Sequence, residues 1–108
     1  MEESKMDYFP KDRLDQKISK GSVIAYPTAR GREIQICVVE SSHQEVYRWG
    51  ELFWVIKGWI VEWNNDPSIQ KVRRTTFQTV SASVLIPMVS LKNKLPGLYH
   101  KAQEIRRN

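Results

Sequence analysis

Residues 21–40 constrain this chain more than any other stretch: Gly21-Ser-Val-Ile-Ala-Tyr26-Pro-Thr-Ala-Arg30-Gly-Arg-Glu-Ile-Gln-Ile-Cys37-Val-Val-Glu40. Two runs of β-type residues, Ser22 to Tyr26 and Ile34 to Glu40, flank a loop containing Pro27 and Gly31. Runs of that length around Pro/Gly punctuation predict a β-hairpin, here with Arg30 and Arg32 at its tip. A hairpin of this kind opens many small barrels, and it points to a binding module rather than to an enzyme.

The remainder of the chain agrees with an all-β reading. After Phe9-Pro10, Leu14 and Ile18 stand four apart, the spacing of a turn or two of helix, which Gly21 ends. Ser41-Ser42-His43-Gln44 reads as a turn. Residues 45–63 are rich in aromatics, with Gly50 and Gly58 between them, and predict a short strand, an irregular connection and a strand around Trp59 to Trp63. Asn64-Asn65-Asp66-Pro67-Ser68 is the strongest turn signal, since Asn and Asp tolerate left-handed or side-chain-bonded geometry and Pro fixes φ. Ile69 to Phe77 is β-branched and basic, residues 78–82 suit a tight helical turn, and Ser83 to Pro87 form a last strand ended by proline. Alternation selects Val23, Ala25, Ile36, Val38, Val61 or its neighbours, Val84 and Ile86 as inward-facing.

The tail behaves differently. Leu91, Leu95, Leu98, Ala102 and Ile105 recur at steps of three and four with Lys and Arg between them, the pattern of a basic amphipathic helix. It is expected to start near Pro96, because proline is tolerated in a first helical turn. The expected fold class is therefore all-β with a terminal helix: a small, partly open, five-stranded SH3-like barrel plus a basic C-terminal amphipathic helix. Its organisation would be an N-terminal tail and helical turn over 1–20, the barrel over 21–90 and the helix over 91–108.

A chain of 108 residues holds one modest core. It has no apolar run approaching the roughly 20 residues of a membrane span, and its first residues lack a signal-peptide layout, so a cytoplasmic location is expected and a membrane partner is not. The single Cys37, with only His43 and His100 beside it, gives no metal-ligand spacing; no metal and no cofactor are expected. Neither a Gly-rich phosphate loop nor a nucleophile elbow is present, which argues against catalysis. The net charge of +5 is unevenly spread: residues 1–20 are balanced, 21–63 carry net −1, and 64–108 carry net +6. A basic half suggests an anionic partner, nucleic acid first.

Two sets of candidate residues follow. Arg30, Arg32, Lys71, Arg73, Arg74, Lys92 and Lys94 could grip phosphates. Strand alternation puts Lys71 and Arg73 on one face and Arg74 on the other with Val72. Tyr47, Trp54, Trp59 and Trp63 form the aromatic set, because four tryptophans, each carrying on the order of 200 Å², exceed what one small core hides. Exposed aromatics could stack on bases, or anchor an interface with another protein, which is the alternative function.

The pattern Lys20-Gly21-x-Val23-x-Ala25-Tyr26-Pro27, then Arg30-Gly31, Val38-Val39-Glu40, and Arg73-Arg74-Thr75-Thr76 leading into Val84-Leu85-Ile86, resembles KOW-type SH3-like domains. In particular it is similar to the MotB-like early proteins of T4-type bacteriophages, over residues 18–88. The resemblance implies DNA binding and a phage-encoded role in modulating host transcription or the nucleoid, in the host bacterial cytoplasm. Between Val39 and Arg73 the chain inserts a tryptophan-rich segment that a minimal KOW unit lacks, and the terminal helix falls outside the resemblance.

Overall fold

The computed structural model describes residues 9–28, 33–62, 71–78 and 80–108. Five strands, β1 (Val23–Pro27), β2 (Ile34–Val46), β3 (Leu52–Glu62), β4 (Lys71–Phe77) and β5 (Val84–Ile86), form one antiparallel sheet in the order β4-β3-β2-β1-β5. A 3-10 turn, Val80–Ala82, precedes β5, and a second, Met88–Leu91, leads to the helix α1 (Pro96–Arg107). The sheet curls into a partly open barrel. β1 and β4 share no ladder; Tyr26 on β1 instead stacks on Phe77 of β4 with ring centroids 3.9 Å apart.

The strands are buried on both faces, and this decides the architecture. Residues of one parity, Ile24, Tyr26, Cys37, Val39, Ile56 and Ile60, join Ile18 and Val80 in the barrel interior. The other parity, Val23, Val38 and Val61, packs against Leu91, Leu98, Ala102 and Ile105 beneath α1. The expected inward set therefore belongs to the helix-covered face: Val23 and Val38 are fully buried there, and Ile36 and Ile86 pack half-buried beside them. Runs such as Val23-Ile24 and Cys37-Val38-Val39 are continuous because each strand serves two cores. α1 begins with Pro96, as expected, and its apolar stripe seats Leu98 and Ile105, each contributing about 2 kcal/mol by burial. Its far end is latched where Arg106 Nε donates to the Gly21 carbonyl at 3.0 Å. Gly21 has φ of 84°, and a Cβ there would collide with the Arg106 side chain.

Three expectations are corrected. Residues 11–18 form no helix: Lys11 and Lys17 bridge in antiparallel fashion and Asp15 adopts φ of 63°. The cause is Asp12, whose Oδ1 accepts from the N–H groups of Leu14 (3.0 Å) and Gln16 (2.8 Å), an alternative that competes with helical bonding. Ile18 enters the core while Leu14 stays 63% exposed. Secondly, Ser41 to Gln44 are not a turn but part of β2, which runs on to Val46. Thirdly, β3 is continuous from Leu52, so the irregular connection shrinks to a tight turn in which Gly50 N–H donates to the Tyr47 carbonyl and Gly50 takes φ of 90°. A long β2–β3 hairpin results. The expected mobile tail over residues 1–8, the β1–β2 tip and the Asn64–Ser68 turn lie outside the described residues.

Candidate nucleic-acid interface

β4 aligns with β3 so that Arg74 stands opposite Trp59 and Arg73 opposite Ile60. Ile60 points into the barrel and Trp59 toward α1, so the two arginines lie on opposite faces, as alternation requires. Trp59 sits half-buried between two cations, with Lys101 Nζ 3.9 Å and Arg74 Cζ 5.2 Å from its ring. Its indole N–H donates to Glu40 Oε1 at 3.0 Å.

The β2–β3 register shifts between Val39 and Ser41, making Glu40 the extra residue of a bulge. Beside that bulge lies a cleft of about 410 Å³, lined by Glu40, Ser41, Lys57, Gly58, Arg74, Thr75 and Thr76. Lys57 is directly opposite Ser41 on one side and Thr76 on the other, so these three side chains share a face. Lys57 is exposed and makes no ion pair among the described residues. Arg74 meets Glu40 Oε2 only at 3.5 Å, with 72% of its side chain exposed, an ion pair worth little against competing water or ligand. Two cations and two hydroxyls around a concavity are suited to phosphate oxygens.

The other expected residues are scattered. Lys71 and Arg73 are exposed on the opposite face of β4; Arg73 lies near Tyr26, whose hydroxyl bonds to Thr75. Burial pushes the Tyr26 phenol up to about 12, with Cys37 adding to the shift while the Thr75 bond and Arg73 oppose it. Lys92 and Lys94 are exposed ahead of α1, next to Leu95, which lines a small cavity with Ile34, Ile36, Val61 and Leu98; neither lines the cleft. Arg30, Arg32 and Trp63 lie outside the described residues. In the aromatic set, Trp54 packs half-buried against the barrel interior, and Tyr47 stacks between Trp49 (4.6 Å) and Phe53 (4.0 Å) at the hairpin tip.

Lys57, Lys101 and Trp49 were not singled out by the sequence. Trp49 is the most exposed of the described tryptophans at 70%, its indole N–H on Glu51 at 2.9 Å. Its place before Gly50 in a tight turn was the available signal. Burial pushes the Cys37 thiol up to about 12 despite a backbone bond from Trp59, and His43 is paired with Glu45 at 2.6 Å. Among the described residues no group of His, Cys, Asp or Glu could hold a metal ion, and no helix is long and apolar enough to cross a membrane. No protein-family model matches the chain, and neither does any curated protein or solved structure.

Proposed function

We propose that this is a non-enzymatic nucleic-acid-binding protein that grips the phosphate backbone, of DNA in preference to RNA, in the cleft between Lys57 and Arg74. The observation that carries the reading is the convergence of those two exposed cations with the Ser41 and Thr76 hydroxyls on one face of β2, β3 and β4. Lys101, above Trp59, extends the positive rim toward α1. Such contacts bind through charge and carry little base information. The resemblance to KOW-type domains of phage early proteins supports the same reading, and with it a role in modulating host transcription or the nucleoid within the bacterial cytoplasm. For the alternative, an aromatic docking surface against a host protein, Trp54 and Trp59 are engaged within the fold, which among the described residues leaves the hairpin tip to supply the contact.

Fluorescence anisotropy on labelled duplex DNA at several salt concentrations tests the proposal. Lys57→Ala with Arg74→Ala should weaken binding on all sequences and reduce the log–log salt slope by about 2, since each lost phosphate contact removes about 0.9. Arg73→Ala, on the other face, should leave the slope near the parent value. Absence of salt-sensitive binding by the parent would overturn the function, and an unchanged slope in the folded double variant would overturn the site.

A further inference from the structure

The β2–β3 hairpin extends beyond the barrel as a two-stranded ribbon. β1 pairs with β2 only over Ile34–Val38, Ser22 and Gly21 reach Val39, and β4 begins its pairing with β3 at Ile56. From Ser41 to Val46 the only backbone partner of β2 among the described residues is β3. The hairpin closes with Tyr47 N–H donating to the Glu51 carbonyl at 2.8 Å. Counting back from that bonded pair, Glu45, His43 and Ser41 direct their backbone groups to β3, while Val46, Gln44 and Ser42 direct theirs outward. Among the described residues the ribbon thus carries an unpaired edge of three residues.

We propose that this edge is occupied by the same edge of a second copy of the chain, related by a two-fold axis through Gln44. An antiparallel pairing about Gln44 sets Ser42 against Val46 of the other copy, Gln44 against Gln44, and Val46 against Ser42. Every outward N–H and C=O of one edge then meets its counterpart, which a register displaced by one residue would not achieve. The same register sets His43 opposite Glu45 of the other copy, twice, on the face where these side chains already attract within one chain at 2.6 Å. On the opposite face the two Gln44 amides come together. Gln44 Nε2, a buried side-chain nitrogen that lacks a partner among the described residues, belongs to that face. Val46, 61% exposed in the single chain, gains cover at both ends of the pairing. The interface is isologous and closes at two copies. It is independent of the phosphate cleft, although Ser41 of each cleft lies one residue from the paired edge.

Gln44→Pro separates the dimer from the fold, because the Gln44 N–H points away from β3 and proline is tolerated on an outward-facing edge position. Val46→Lys is a second edge-blocking change that leaves the β2–β3 ladder intact. Size-exclusion chromatography with light scattering on the full chain should give a dimer for the parent and monomers for both variants, with circular dichroism of the parent type. A parent that stays monomeric up to millimolar concentration would overturn the proposal. So would a dimer that survives both substitutions.

Discussion

The N-terminal loop is held to the barrel by one carboxylate, and removing it should be costly. Asp12 is 4% exposed and accepts three backbone hydrogen bonds: Leu14 and Gln16 on Oδ1, and Leu85 of β5 on Oδ2 at 2.9 Å. With Arg13 N–H donating to the Ser83 carbonyl at 2.8 Å, this loop covers the outer edge of β5, the terminal strand of the sheet. Hydrogen bonds to a charged acceptor are worth about 1.5–3 kcal/mol each. Water can take the place of the lost carboxylate for the two donors nearest the surface, so Asp12→Ala should lose about 3 kcal/mol in all. For a domain of this size that lowers Tm by roughly 10–20 °C.

The pH dependence follows from the same geometry. Burial alone would raise the Asp12 pKa, but the N–H groups of Leu85, Gln16 and Leu14 outweigh it and hold the carboxyl below its ordinary value. A depressed folded-state pKa gives stability that is present above the unfolded value of about 3.9 and is lost as pH falls through the folded one. Thermal melts at neutral pH and near pH 3 should therefore show a large gap between parent and Asp12→Ala that narrows in acid. Asp12→Asn should fall between them: its carbonyl can keep Leu14 and Gln16, while its NH₂ faces the Leu85 donor. Equal melting of parent and Asp12→Ala at neutral pH, or a gap that does not narrow in acid, would refute the reasoning.

Gly58→Ala should lower the urea midpoint by an amount equivalent to about 2 kcal/mol, because the added methyl would collide with Cys37 Sγ and the Val38 carbonyl oxygen inside the sheet; an unchanged midpoint would show that the sheet yields there. Cys37, fully buried with its thiol pushed up to about 12, should resist alkylation at neutral pH until the chain unfolds. Its raised pKa also contributes stability that is intact below about pH 8.5 and declines as pH rises toward the folded value, a trend that melts of Cys37→Ser, lacking it, should show more weakly.

The order of strands and the terminal helix were legible because each depends on local periodicity: β-rich runs between Pro/Gly breaks, then apolar steps of three and four after Pro96. The loop over 11–18 was misread because Leu14 and Ile18 have helical spacing, while the outcome was set by the Asp12 bond to Leu85, 73 positions away. The hairpin was misread for a related reason. Ser41 to Glu45 are polar although Val55 and Ile56 across the ladder are buried, and polarity that suggests a turn is equally what a strand paired on one side carries. Alternation could not say which parity faced inward, since Val38 and Cys37 are both fully buried in different clusters.

The cleft illustrates the same limit in the candidate site. Lys57, Ser41, Arg74 and Thr76 are spread over 36 positions of chain and carry no motif; the ladder registers and the bulge at Glu40 bring them together. The two-sided burial of the sheet also explains where a surface for ligands can exist. The barrel fills one face of the strands and α1 covers the central part of the other, and Lys57 stands exposed where β2, β3 and β4 run out from under the helix. Lys57 and Arg74 occupy that margin, and the ribbon from Ser41 to Leu52 lies beyond it. The clustered arginines of β4, which dominate the sequence, are divided by the sheet itself: Arg74 can join the cleft only because Arg73 cannot.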